Sequence, residues 1–488
     1  MKKNFLTVIA MTVVAFFVSA EIAKAADISF SGQVRTRWEV AEHLGNGGVA
    51  GGGNANGPGM NNQPDDFIIS SVRLAATANI NDQASAFIQM QSARTWGGTG
   101  SSSNGGGSGN ASSSASNHDA SVGLHQAYFT LKNFMNLPMG WDAKIGRQEI
   151  KLDGWRLFGN TIWTTGMQTH DAIRLNHKHD NTTISAMYIL RNEDGRTNDQ
   201  NDNNDFDVYA LHLNQKGVLG GQFSGYYVFS DDGCSMKSAS STANTEGCTK
   251  YSNNFHTIGG RQAGTFAGLK YRAEAYFQFG DAQGIADSTG GTLHPSLAAG
   301  VDVDREAYMY GVRLTKAFKN VSYKPAVTLW YDYLSGTSDD DLKNGKWKSF
   351  DTLYDTGHKY YGLQDLFLGV GSGGEKGTHG LGLQDLAVKV KLNPVAGWTL
   401  KVDHHHFYTA EGMSNTITSG VAVPVSAGDT SFLGTEIDVT AIHKMNPATK
   451  VLIGYSNFSP SQGFRRIRNT TTGANDANWA YVQFDVKF

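Results

Sequence analysis

From Ile28 to Phe488, apolar and polar side chains alternate with period two in segment after segment, and no long amphipathic helix interrupts them. Period two puts successive side chains on opposite faces of an extended strand. Ile28, Phe30, Val34, Trp38 and Val40 alternate with Ser29, Ser31, Gln33, Arg35, Arg37 and Glu39. Leu269, Tyr271, Ala273, Ala275, Phe277 and Phe279 alternate with Lys270, Arg272, Glu274, Tyr276 and Gln278. The same holds for Leu386–Leu392 and for Trp479–Phe488. A soluble antiparallel sheet also alternates, but two features separate the cases. Here the polar face carries long charged side chains in mid-strand. The connections also alternate in length. Short turns fall at 81–83, 177–181, 214–218, 393–397 and 444–449. Long polar stretches fall at 43–65, 97–119, 192–204, 231–253, 280–302, 335–380, 411–430 and 459–478. Short turns at one end and long loops at the other are the pattern of an outer-membrane barrel.

The spacing predicts about 18 strands, starting near Ile28, Phe67, Ala84, Val122, Trp141, Asp171, Thr183, Asp207, Gln222, Phe255, Leu269, Arg305, Lys324, Gln384, Trp398, Thr435, Val451 and Trp479. Sixteen is the alternative; bacterial barrels take even numbers. In lipid an open sheet edge finds no water, so the sheet must close. At 16–18 strands the interior is wide enough for an aqueous channel. The expected fold is therefore all-β, a transmembrane antiparallel barrel with long extracellular loops and short periplasmic turns, placed in the outer-membrane lipid.

The start of the chain agrees with export. Lys2 and Lys3 precede an apolar run from Phe5 to Ala20, and Ala23-Lys24-Ala25 is a small-residue cleavage box. Residues 1–25 are expected to be a secretory signal peptide and 26–488 the barrel. No later run of apolar residues is long enough for a spanning helix. With 41 Lys+Arg against 44 Asp+Glu, no basic excess points to nucleic acid. Nucleophile motifs such as G-x-S-x-G, the zinc motif H-E-x-x-H and a haem-attachment C-x-x-C-H are absent from the sequence, so no enzyme and no haem cofactor is expected.

Several motifs are more specific than the architecture. Gly146-Arg147-Gln148-Glu149-Ile150 leads to Asp153-Gly154, Arg156-Leu157 and Gly159-Asn160, then to Asp171-Ala172-Ile173-Arg174-Leu175. Gly357-His358-Lys359-Tyr360-Tyr361-Gly362 is followed by Asp365-Leu366-Phe367 and by Gly382-Leu383-Gln384-Asp385-Leu386. His405-His406-Phe407 and Leu433-Gly434-Thr435-Glu436-Ile437-Asp438 come near the end. Taken in order, this set resembles the alginate export family of outer-membrane barrels, with His170 standing where Phe is expected. The resemblance implies an 18-stranded channel that passes solutes, in its best-known members an anionic exopolysaccharide. The terminal Phe488 resembles the C-terminal signal read by the barrel assembly machinery, which is thereby implied as a partner.

Projecting the alternation inward gives expected lumen cations Arg35, Arg37, Arg73, Lys144, Arg174, Lys270, Arg272, Arg313, Lys389, Lys391 and Lys401. The expected lumen anions are Glu39, Glu274, Asp332, Asp403, Glu436, Asp438 and Asp485. Eleven cations against seven anions, in a chain that is slightly acidic overall, place the acid in the loops. A basic bore suits carboxylates, so the expected function is a passive channel for anionic polysaccharide or other anionic solutes. A substrate-selective or general diffusion porin is the alternative. The reading opposed to a basic bore is a charge network that pairs internally and braces the wall.

The loops carry further expectations. The 151–170 connection, with Trp155, Arg156, Phe158 and Trp163, either folds into the bore or lies on the surface. The longest loop, 335–380, is expected to pack as a lid or plug. The Gly/Ser/Asn-rich segments 97–119 and 43–65 are expected to be flexible. The acidic stretch 193–207 is read as a solvated loop; calcium, which takes six to eight oxygens, is the alternative. In His404-His405-His406 at most two imidazoles share a face, so no metal is expected there, and His405 is placed on the lumen side.

Cys234 and Cys248 are separated by 13 residues within one long loop of an exported chain, and they should form a disulfide. On the loop-entropy model the link stabilises that loop by about 3 kcal/mol. Alkylation of non-reduced protein should find no free thiol; two labelled cysteines would refute the pairing.

Overall fold

The computed structural model describes residues 27–42, 65–96, 122–138, 140–192, 206–232, 253–282, 303–368, 377–378, 380–412, 431–467 and 476–488. Residues 1–25, expected to be a signal peptide, both cysteines, the acidic stretch up to residue 205 and the two glycine-rich loops lie outside these residues.

Eighteen long strands form the wall. They are β1 Asp27–Glu42, β2 Asp65–Asn79, β3 Ala84–Thr95, β4 Gly123–Leu131, β5 Trp141–Gln148, β6 His170–His179, β7 Thr182–Asn192, β8 Phe206–Val218 and β9 Gly221–Asp232. The second half comprises β10 Phe255–Phe266, β11 Leu269–Asp281, β12 Asp304–Ala317, β13 Ala326–Leu334, β14 Leu383–Leu392, β15 Trp398–Tyr408, β16 Phe432–Lys444, β17 Thr449–Pro460 and β18 Ala477–Lys487. Each expected start falls within three residues of an observed one. Each strand is antiparallel to the next, and β18 returns to β1 in a register running from Gln33↔Lys487 to Glu42↔Asn478. The sheet is thus a closed antiparallel barrel of 18 strands. A two-residue strand, Lys346–Trp347, lies parallel against the start of β12 from inside the longest loop.

The alternation holds through the wall. In β1, Arg35, Arg37, Glu39 and Ala41 are buried inside, while Phe30, Val34 and Trp38 are exposed on the outer face. In β11, Glu274, Tyr276 and Gln278 are buried and Phe277 and Phe279 exposed. Stacked outward rings, among them Tyr209–Phe229, His256–Phe279 and Tyr308–Tyr333, lie toward the long-loop end and make the aromatic girdle of a membrane barrel. Two turns are shifted: in 177–181, β6 runs on to His179 and leaves Asp180 and Asn181 as the turn. The segment 214–218 reads as a turn, but β8 continues to Val218 through a bulge at Lys216/Val218, leaving Leu219–Gly220 as the turn. Gly217 and Gly220 supply the left-handed backbone there, which glycine adopts without steric cost.

Closure is completed at the last residue. Phe488 N–H donates to Gly32 O at 3.1 Å, and Gly32 N–H donates to Phe488 O at 2.7 Å. The Phe488 ring lies where a Gly32 side chain would be. Gly32→Val should therefore impede seam closure and lower the fraction of compact, heat-modifiable protein on unheated gels. Gly412→Val, where a new Cβ meets nothing within 4 Å, should not. Equal folded fractions for the two variants would show that the contact is dispensable.

Candidate translocation path

The described residues of two loops from the long-loop end, 149–169 and 335–382, fold into the bore. They are stitched into one body by backbone bonds: Tyr354 N–H to Leu157 O at 2.9 Å, Gly159 N–H to Tyr354 O at 2.7 Å, and Thr356 N–H to Trp155 O at 3.1 Å. Phe158 and Tyr354 form a parallel bridge. Ile150, Leu157, Phe158, Phe350, Tyr360, Tyr361 and Phe367 are buried between this body and the inner wall. The main apolar core thus sits inside the barrel, formed by plug and wall together. Asp153, Trp155, Thr161, Met167, Leu353 and Asp365 take positive φ. That is uncommon for residues other than glycine, and it lets the two loops turn tightly within the bore.

Charged side chains fasten the plug to the wall. Arg156 is buried and donates to Asp332 on β13 at 2.5 Å, to Glu274 on β11 at 3.3 Å and to the Tyr361 hydroxyl at 2.8 Å. Its guanidinium lies 3.6 Å from the Tyr360 ring centroid. Arg313 of β12 donates to the same two carboxylates, at 2.9 Å to Glu274 and 2.8 Å to Asp332. Asp153 reaches the β8–β9 wall, accepting from Tyr226, from Gln222 at 3.2 Å and facing His212 Nε2 at 3.1 Å. Burial alone would raise the Glu149 carboxyl. Hydrogen bonds from His125 and Lys151, with the Arg73 guanidinium nearby, hold it down at about 2. On the far side, the backbone N–H groups of Leu363 and Gln364 donate to Asp438 and Glu436 of β16 at 3.3 and 3.0 Å. Trp163 is clamped between Arg37, 3.7 Å away, and the stacked His358 ring at 4.3 Å.

All fourteen expected pore residues project inward, but they meet different fates. Arg37 is sealed under the plug against Glu39 at 2.6 Å. Glu274, Arg313 and Glu436 are consumed by the fastening network. Arg35 donates to the Ile162 and Thr164 carbonyls at 2.5 Å, Arg73 donates to Gln91 at 2.7 Å, and Arg174 donates to Ser185 at 3.1 Å. Lys144 lies 3.6 Å over the Tyr128 ring. Lys389 pairs with Asp403 at 3.1 Å. Lys391 and Lys401 face one another across β14 and β15. Arg35 and Arg37 thus brace the plug, Arg73, Arg174 and Arg313 bond to wall side chains, and Lys391 and Lys401, nearer the short turns, stay exposed. His405 is turned inward against Asp385 at 2.8 Å. His404 and His406 share the outer face, their rings 4.5 Å apart. Strand parity could not supply the loop contributions from Lys151, Arg156, Lys359 and Asp153.

Two cavities open toward the short-turn end. One, of 600 Å³, lies between the first plug loop and strands β1–β4 and β14–β18, with Arg35, Arg73, Lys401 and Lys450 facing Glu149 and Asp485 across it. The other, of 710 Å³, lies under β8–β14 and is lined by Lys216, Arg261, Lys270, Arg272, Arg313 and Lys389, with no carboxylate among the described residues of its lining. In the lining of the 600 Å³ cavity, burial and the nearby Arg272 and Arg156 pull the Lys359 ammonium down to about 8.

Arg156→Met should remove the shared cation, leave Glu274 and Asp332 under-compensated, and cost about 3–5 kcal/mol of plug attachment. Single-channel recordings should show larger and noisier conductance than wild type. Unchanged conductance in a folded variant would show that the plug is held without Arg156.

A search of curated protein sequences gave no significant match. The model of the alginate export family matches residues 53–475. Among solved structures, the fold is similar to Acinetobacter baumannii OccAB1, with TM-score 0.54 and 13% identity over 96% of this chain and 98% of that one. It is also similar to Pseudomonas aeruginosa OccK8 (OprE), with TM-score 0.51 and 11% identity over 95% and 98%. A BenF-like porin from Pseudomonas fluorescens Pf-5 gives TM-score 0.51 and 12% identity over 95% and 99%. With a closed 18-strand wall, a charged bore and a family match spanning most of its length, the chain is an outer-membrane channel and belongs to the alginate export family.

Proposed function

We propose that this channel passes anionic solutes bearing carboxylates. The observation that carries this reading is the 710 Å³ cavity, lined by six cationic side chains, of which Arg313 and Lys389 are paired with carboxylates, and by no carboxylate among the described residues. A low-dielectric bore focuses the field of such charges, raising the local concentration of anions and excluding cations. The neighbouring cavity adds Lys401, Lys450 and Lys487 near the short turns, with Asp403 and Asp485 in the same lining. The plug favours small solutes, since it fills the cross-section and leaves cavities of 600 and 710 Å³. The family match favours a second reading, an extended anionic polysaccharide drawn through as a single chain.

Reversal potentials across planar bilayers under a salt gradient test the proposal. Wild-type protein should be anion-selective, and replacing Lys270, Lys389 and Lys401 together by Gln should shift selectivity toward cations. The effect should weaken as salt rises, because screening shortens to about 10 Å at 0.1 M. Cation selectivity in the wild-type channel would overturn the reading.

A further inference from the structure

Two kinds of chemistry fasten the plug to the wall. The 149–169 loop is held by guanidiniums. Arg35 donates to the Ile162 and Thr164 carbonyls, Arg37 to the Trp163 carbonyl at 3.0 Å, and Arg156 to Asp332 and Glu274. A guanidinium stays charged throughout the working pH range. The 362–364 turn of the other loop rests instead on two carboxyl groups of β16. Leu363 N–H donates to Asp438 at 3.3 Å, and Gln364 N–H donates to Glu436 at 3.0 Å. Gly362 makes the close approach possible. Its φ is +83°, and a carbon placed on it would lie 2.5 Å from Glu436 Oε1.

Glu436 and Asp438 project from the same face of β16, within hydrogen-bonding reach of each other. The Ser456 hydroxyl of β17 lies against both. Both are buried, at 0% and 2% exposure. In the β15–β16 register Glu436 stands opposite His405, and Asp438 stands opposite a further carboxylate, Asp403. The cations that face this pair are engaged elsewhere. Lys389 of β14 pairs with Asp403 at 3.1 Å. Arg156 and Arg313 are spent on Asp332 of β13, and Arg37 of β1 on Glu39. His358 of the plug faces Asp365 at 2.9 Å, and β18 presents only the Tyr481 phenol. His405 gives its Nδ1 side to Asp385 at 2.8 Å. Its Nε2 stands 3.9 Å from Asp438 without a hydrogen-bond partner, and Glu436 Oε2 has none among the described residues. A positive charge on His405 would be offset by Asp385 alone.

We propose that Glu436 and Asp438 form a proton-operated latch for the 362–364 turn, and that this turn is a hatch in the plug. Two buried carboxyl groups in contact, with no cation to spare, cannot both ionise. Sharing one proton, they accept both N–H groups and seat the turn. With that proton gone, two buried charges repel and the turn lifts to admit water. Gly362, Leu363 and Asp438 line the 600 Å³ cavity whose short-turn end is marked by Lys450 and Lys487. Lifting the turn therefore extends that cavity toward the long loops, while the arginines keep the 149–169 loop in place. Carboxyl groups in water ionise near a pH of about 4, so the seated turn holds a proton that the lifted one releases. Seating weakens as pH rises above that value, and the channel opens with rising pH. The latch does not depend on which ion the channel prefers.

The test is open probability in single channels of the full chain, with equal pH on both sides, from about pH 5 to about pH 9. Open probability should rise with pH, with a slope of about one proton. Glu436→Gln with Asp438→Asn keeps acceptors for the two N–H groups and removes both charges. That variant should stay seated and lose the pH dependence. Glu436→Gln alone serves if the double variant does not fold. Gly362→Ala, which puts a carbon against the Glu436 carboxyl group, should open the channel at every pH. Asp365→Asn, which removes a plug carboxylate outside the pair, should leave the slope as in wild type. Open probability that is flat or falls with rising pH in wild type would overturn the latch. So would a slope that survives in the charge-free variants or disappears in Asp365→Asn. Ion selectivity, read in the same bilayers, tests the passage reading separately.

Discussion

A backbone crossing hydrocarbon must satisfy every N–H and C=O within the protein, and the β1–β18 seam is where this chain meets that demand. Eighteen strands remove every edge only because the last returns to the first in register, down to the paired Gly32 and Phe488. Closure then dictates the rest. With apolar side chains committed to lipid, the inward set must be polar, and an interior of this width has to be filled by water or by loops.

Here loops fill much of it. The 149–169 and 335–382 segments bring the aromatic and apolar residues that form the core, while the wall contributes carboxylates and guanidiniums that receive them. Burying Arg156 is tolerable because two carboxylates, a hydroxyl and an aromatic face surround it. An isolated charge in that position would be strongly unfavourable. The same network divides the interior by role. Toward the long-loop end, charges are paired and structural. Toward the short turns, Lys270, Lys391, Lys401, Lys450 and Lys487 remain for solvent and solute. The charge this bore presents to a solute is therefore set by what the plug leaves unpaired rather than by the total lumen charge.

Strand positions, strand number and the inward face were legible because period two is a local signal that lipid enforces strictly. Arg35, Arg272 and Lys401 could be placed on the correct face from parity alone. Their partners could not. Arg313 meets Glu274 from the adjacent strand, but Arg156 reaches Glu274 across 118 residues and Asp332 across 176. Nothing in the spacing of the sequence encodes those separations.

The sequence by itself determined the barrel: alternation, the short-and-long rhythm of connections and the need to close in lipid admit few other folds. It also carried the family, through motifs that prove to be plug and wall segments in mutual contact. Only the tertiary structure decided that the 149–169 loop turns inward, that Arg35 and Arg37 are spent holding it, and that Arg261 and Arg272 line the 710 Å³ cavity. The physical reason is range. Strand parity is set by neighbouring residues, whereas the pairing of a buried charge is settled by whichever loop arrives in the bore.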